Sequence, residues 1–302
     1  MFRKSSFLSP ILLFLTILPT FSQSSNRDDA EAPCGVPPLN KNFTRFDYLM
    51  PDTHRLVGSL ESSPHAWPWT GQLVAMRMEA NGSATVTHKC GCALIARDFV
   101  VTAAHCFAKS IHPLYQIVHS AYDAALLRPE NFVAEMNKNG ADIFCFRISP
   151  VPKFDDFIWP ICLPTRPAAV NGMCVVTGWG RLAEGGKRPT KLREIHVPVM
   201  RTTTCNSVQH YAGRLHYPSM ICAGFNAGKS DACQGDSGGP LQCQNAKNVW
   251  ELQGIVSWGI GCANPKFPGV YTKMFVICPW IRTEMRRLKT LYPLALKEQK
   301  SE

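Results

Sequence analysis

The chain has 302 residues, 45% of them apolar and 18% charged, with a formal net charge of +10 at pH 7. It holds no internal repeat, and no nucleic-acid-binding module accompanies the positive balance, so the charge reads as solvation or adhesion to acidic surfaces rather than specific nucleic-acid binding. Pro and Gly are dense between short apolar runs, the texture of one all-β antiparallel domain, and the thirteen cysteines argue for folding in an oxidising compartment.

At the N-terminus, Arg3 and Lys4 precede an apolar run from Phe7 to Leu18, with small residues near Ser22. That pattern predicts a secretory signal over residues 1–22. The run is too short and Pro-interrupted to favour a spanning helix, which leaves a signal anchor as the alternative, and no later stretch suffices to cross a bilayer. Residues 23–55 are polar, with Pro33, Pro37 and Pro38 close together, and read as an irregular propeptide. The tripeptides Asn42-Phe43-Thr44 and Asn81-Gly82-Ser83 are glycan acceptors in a secretory pathway.

Further along, Phe99-Val100-Val101-Thr102-Ala103-Ala104-His105-Cys106 is a strand-like run leading into a histidine beside a cysteine. The other eight histidines read as structural or surface residues. Two aspartates head apolar runs. Asp123 opens Tyr122 to Leu127, which stops at Arg128-Pro129, too short for a buried strand; Asp142 opens the longer run Ile143 to Ile148. In Gly235-Asp236-Ser237-Gly238-Gly239-Pro240, glycines flank a serine. A serine hydroxyl needs a base to become a nucleophile, and the glycines let backbone amides of Gly235 and Ser237 point into one small space for an oxyanion. The tail from Cys278 onward predicts a helix, with Ile281, Met285 and Leu288 at helical spacing among Arg282, Arg286, Arg287 and Lys289.

The histidine run and the serine loop together resemble the trypsin/chymotrypsin family of serine endopeptidases, in which the order is His, Asp, Ser. The resemblance implies two antiparallel six-stranded barrels with a C-terminal helix, occupying residues 56–302. It makes His105 the general base and Ser237 the nucleophile. Pro160-Ile161-Cys162-Leu163-Pro164 is similar to the family segment that follows the triad aspartate, so Asp142 is preferred to Asp123. Asp231, six positions before the serine, falls at the base of the family's specificity pocket. Ser257, Trp258, Gly259 and Gly269 match its walls, which implies cleavage after Arg or Lys. Arg55-Leu56-Val57-Gly58-Ser59 resembles the family's activation junction, with Leu56 and Ser59 departing from the usual Ile and Gly. Cleavage after Arg55 would free an ammonium on Leu56 to pair with Asp236. Motif matching also implies the disulfides Cys34–Cys162, Cys90–Cys106, Cys174–Cys243, Cys205–Cys222 and Cys233–Cys262. Cys92, Cys145 and Cys278 are left over and read as small buried apolar residues, with a Cys92–Cys145 bond and an intermolecular bond at Cys278 as alternatives.

No cofactor is implied, and no thiol–histidine cluster has metal-ligand spacing. The expected partners are protein or peptide substrates, an activating protease and protein inhibitors. One stretch departs from the family: residues 107–141 lack the expected Val-x-Leu-Gly pattern, Ile117 to Tyr122 looks like the strand just ahead of the aspartate arriving early, and Asp123 to Gly140 looks like an inserted loop. The first barrel is therefore expected to be shortened by a hairpin. The function implied is a secreted, trypsin-like zymogen. The shortened barrel motivates the alternative, a non-catalytic homologue acting in binding or adhesion.

Overall fold

Among the described residues, two antiparallel sheets carry most of the regular structure, and an 18-residue helix most of the rest. The structure is a computed structural model that describes residues 33–38, 59–78, 81–107, 115–119, 122–126, 141–148, 152, 154–226, 228 and 231–291, with 76–78, 84, 115–119 and 122–126 described as backbone only. Arg55, Leu56 and Asn42 lie outside them, as do the expected signal and most of the propeptide.

The first sheet has the order β6-β5-β2-β3-β4-β7. Its strands are β2 (Thr70–Met78), β3 (Ala84–Ala96), β4 (Phe99–Thr102), β5 (Tyr115–His119), β6 (Tyr122–Leu126) and β7 (Phe144–Arg147). The expectation of a missing hairpin is overturned. Gln116 pairs with Leu126, Ile117 with Ala125 and His119 with Tyr122, so β5 and β6 form the hairpin. Ile117–His119 ends β5 and Tyr122 begins β6, and Asp123 lies in β6 rather than opening a loop. The run through Asp123 is too short for a buried strand, but among the described residues β6 pairs with β5 alone, as an edge strand, and edge strands are commonly short. Among the described residues β6 and β7 do not pair, so this sheet has six strands without a closing ladder.

The second sheet does close. Its strands are β1 (Leu60–Glu61), β8 (Met173–Gly178), β9 (Arg193–Met200), β10 (Met220–Ala223), β11 (Pro240–Gln244), β12 (Trp250–Trp258) and β13 (Gly269–Lys273). They follow the order β1-β9-β10-β13-β12-β11-β8, and the β8–β9 pairing turns six of them into a barrel with β1 on its rim. Closure removes the unpaired edges of those strands. A short helix α1 (Thr202–Cys205) follows β9. The terminal helix α2 (Met274–Leu291) starts four residues earlier than expected and contains Pro279.

The larger core cluster takes Trp69, Phe99, Phe146 and Ile161 from around the first sheet, with Leu252, Ile281 and Leu288 from β12 and α2. The barrel has its own core around Val197, Leu241 and Tyr271. A buried polar seam joins the sheets: Trp69 Nε1 donates to Gln242 Oε1, and the hydroxyls of Thr70 and Thr177 meet at 2.8 Å. Buried polar atoms are costly unless satisfied, so these pairings specify one register between the sheets. Five disulfides are present, and they are the five pairs the resemblance implies; Cys92, Cys145 and Cys278 are free and buried.

Candidate active site

The wholly buried strand β4 leads through Ala103 into a single 3-10 turn, Ala104–Cys106, that carries His105. The Cys90–Cys106 disulfide fastens that turn to β3. Asp142, immediately before β7, reaches the turn twice. Its Oδ1 accepts the His105 backbone N–H at 2.9 Å, and its Oδ2 faces His105 Nδ1 at 2.5 Å. Ser257 Oγ donates to the same Oδ2 at 2.6 Å, and Thr272 Oγ1 donates to the Asp142 carbonyl at 2.8 Å. Burial pushes the Asp142 carboxyl up, but the hydrogen bonds from His105 and Ser257 and the His105 charge outweigh it, and the group is held below the usual carboxylate range.

Ser257 was expected only as a pocket wall. The register between β12 and β13 shifts between Val256 and Trp258, leaving Ser257 as the odd residue. Bulges re-aim side chains in this way.

The serine loop sits against β3 and the end of β4. Gly91 N–H donates to the Ser237 carbonyl at 2.7 Å, and Gly238 N–H donates to Val256 O at 2.8 Å. Gly238 has φ +81°, and a Cβ there would lie 2.1 Å from Thr102 Oγ1 and 3.1 Å from Ala103 N. Only glycine allows the backbone beside Ser237 to come so close to the strand end that carries His105. Gly235, at φ +104°, is likewise in glycine territory.

His88, read from sequence as an ordinary histidine, supports this loop. Its Nε2 bonds the Gly235 carbonyl at 2.8 Å, and its Nδ1 lies 2.9 Å from Gln72 Oε1. Burial lowers its pKa, the bond to Gly235 opposes that, and the Arg188 charge adds to the lowering, so the ring is neutral near pH 7. Arg188 Nη1 donates to the His88 carbonyl at 3.0 Å. The only sequence signal for His88 is its place two residues before Cys90, and Arg188 has none.

Asp231 lines a recess with Cys233, Cys262 and Ala263. Its Oδ1 accepts the Ala232 N–H at 2.8 Å. Burial pushes its pKa up to about 7, against hydrogen bonds from Ala232 and Ala263, with the Asp236 charge adding to the rise. Gly269 abuts it, since a Cβ there would be 2.6 Å from Asp231 Oδ1, whereas a Cβ on Gly259 would meet nothing closer than 4.0 Å. Trp258 packs edge-on to Tyr211, with ring centroids 4.9 Å apart.

Asp236 is turned inward. Its Oδ1 accepts the Gly180 N–H at 2.7 Å and its Oδ2 the Cys233 N–H at 2.9 Å. Burial raises its pKa, opposed by those two bonds and by the Arg188 charge. A cavity beside it is lined by Ser59, Val176, Gly178, Gly180, Arg193 and Ile195, and extends to Asp231. Asn81 is exposed, at the turn between β2 and β3. Cys90, Cys106 and His105 converge closely enough to suggest a metal site, but the two sulfurs are joined to each other and offer no thiolate.

A glycine-hemmed serine and an imidazole backed by a half-buried carboxylate are the side chains of a candidate serine hydrolase site, carried by a six-stranded sheet and a closed barrel. The Trypsin family model matches residues 56–281. The chain is 34% identical over 292 residues to "Serine proteinase stubble" of Drosophila melanogaster, covering 85% of this chain and 33% of that protein. It is 36% identical over 243 residues to "Transmembrane protease serine 11C" of Mus musculus, covering 76% of this chain and 54% of that protein. The chain thus spans about a third to a half of the length of these relatives. It belongs to the trypsin family of serine proteases.

Proposed function

We propose that the protein is a secreted zymogen which, once cut after Arg55, hydrolyses peptide bonds following Arg or Lys. The observation that carries the reading is the carboxylate pair: Asp142 receiving His105 and Ser257, and Asp231 lying unpaired with any cation beside Gly269 among the described residues. In this reading Ser237 Oγ attacks the scissile carbonyl while His105 takes its proton. The oxyanion is received by the Gly235 and Ser237 amides, and His105 then protonates the leaving amine. Asp142 keeps the imidazole in the tautomer with hydrogen on Nδ1 and stabilises the imidazolium. A substrate guanidinium or ammonium enters past Gly259 and meets Asp231; an apolar side chain would leave that carboxylate buried and unpaired.

Activation follows from the cavity at Asp236. Hydrolysis of the Arg55–Leu56 bond by an activating protease adds water, leaving a carboxylate on Arg55 and an amine on Leu56 that, free in water, titrates at about pH 8. The ammonium enters beside Asp236, whose inward carboxylate has backbone partners but is raised by burial, and the pair orders the oxyanion loop. The five disulfides favour an oxidising, extracellular destination, where protein inhibitors would meet the same cleft. The β5–β6 hairpin supplies the strands whose expected absence motivated a non-catalytic reading.

The test is titration of the cut protein with a phosphonylating serine probe. One equivalent of label, lost in Ser237→Ala, supports the reading. A folded, cut wild type that takes no label refutes it.

A further inference from the structure

We propose that Arg193 is a positioning residue for activation, clamping Ser59 so that the new N-terminus is already aimed at Asp236 before the chain is cut; this rests on the activation reading above. Ser59 is the fourth residue after the expected cut, and a serine there departs from the glycine the family favours. The side chain is not idle. Arg193 Nε donates to Ser59 Oγ at 3.1 Å, and Arg193 Nη2 donates to the Ser59 carbonyl. One planar guanidinium thereby holds both the backbone and the side chain of a single residue, a geometry its fork suits and an ammonium does not.

The clamp sits where anchoring is otherwise thin. β1 is only two residues long, and its ladder on β9 consists of Leu60 against Glu194 and Glu61 against Arg193. The exposed Lys191–Glu61 ion pair at 2.6 Å adds little. Arg193 extends the docked segment by one residue, to the mouth of the cavity lined by Ser59, Arg193 and Asp236. Beyond Ser59 only residues 56–58 precede the new amine, a reach of about 10 Å. The cavity suits them: Val176 and Ile195 are apolar walls, and Gly178 and Gly180 leave room at the carboxylate, where a Cβ on either would lie within 2.4 Å of an Asp236 oxygen. Fixing Ser59 in advance confines the entropy lost on insertion to three residues instead of a longer tail.

The charged groups lining the cavity are Arg181, Glu184, Arg193, Glu194, Asp231 and Asp236; His196 faces Glu194 at 3.2 Å and Arg188 acts on Asp236 from outside. Only a protonated amine pairs with Asp236. The pH at which activity is lost on the alkaline side therefore reports how favourable insertion is, rising one unit above the free-amine value of about 8 for each tenfold in the insertion constant.

The experiment cuts full-length wild type, Arg193→Ala and Ser59→Gly with an immobilised Arg-specific protease, removes it, and follows hydrolysis of an Arg substrate from pH 6 to 11. Loss of two hydrogen bonds from a charged donor should weaken insertion about tenfold or more, lowering the alkaline midpoint of R193A by about one unit or more. S59G, which keeps the carbonyl contact, should fall less. The rate of cutting at Arg55 and the acid limb should not move. If R193A does not fold, S59G and Arg193→Gln carry the comparison. Wild-type midpoints in folded, cut variants would overturn the clamp alone. A cut wild type with no activity, or an intact chain equally active, would overturn the activation reading and the clamp with it.

Discussion

If Asp231 receives the substrate cation as proposed, specificity depends on pH, by an amount that follows from the surroundings of Asp231. Its pKa of about 7 in the empty pocket means that the carboxyl is protonated below that pH and ionised above it. A cationic side chain binds the ionised form, so affinity for Arg substrates rises as pH rises through about 7. At pH 6 about one pocket in eleven is ionised, and the Arg advantage should be about elevenfold below its high-pH limit. Once an ammonium sits on Asp236, the smallest contribution raising Asp231 is offset. Burial remains, so the midpoint should lie at or somewhat below 7. The assay is kcat/KM for an Arg ester and for a neutral ester between pH 5 and 8.5. Their ratio cancels every group that serves both substrates equally. Replacing Asp231 with Ser should lower the ratio by about 200- to 5000-fold, the cost of breaking a buried ion pair at 3–5 kcal/mol, and should make it independent of pH. A flat ratio in the wild type, or retained Arg preference in the variant, refutes the pocket assignment.

Asp142→Asn should leave the fold intact and lower kcat by about 10⁴ at neutral pH, because Nδ1 loses the acceptor that sets its tautomer; pre-steady-state acylation rates check this. Gly238→Ala should cost at least about 2 kcal/mol in chemical denaturation and abolish probe labelling, since a side chain would be forced into a left-handed backbone and onto Thr102. Cys34→Ser should fold but release the 23–55 fragment after cutting at Arg55, which gel filtration of the cut protein reads directly; continued co-elution under mild denaturant would contradict a covalent tether at that site.

Much of the site was legible because its chemistry is local. The serine loop, the histidine run and Asp231 each lie in short motifs, and Asp142 could be preferred to Asp123 from the longer apolar run that follows it. The failures are non-local. Whether residues 115–126 form a hairpin depends on the free edge of β2, which no property of those residues reveals. The hydroxyl of Ser257 reaches Asp142 from 115 positions away through a register shift in β12. His88 and Arg193 carry no motif, and their roles come from which carbonyls the folded sheets place beside them. Helix α2 begins ahead of its periodic stretch because Met274 and Ile277 are drawn into the core before the Cys278-Pro279 signal appears.

Cys34 is bonded to Cys162, Gly35 N–H donates to the Pro160 carbonyl, and the Gly35 carbonyl accepts the Trp250 N–H. Severing the chain downstream would thus yield a heavy and a light polypeptide travelling as one particle. Anything borne by the light piece, including sugar at Asn42, would accompany the working protease to its target and be cleared with it, so that addressing and catalysis stay coupled after maturation.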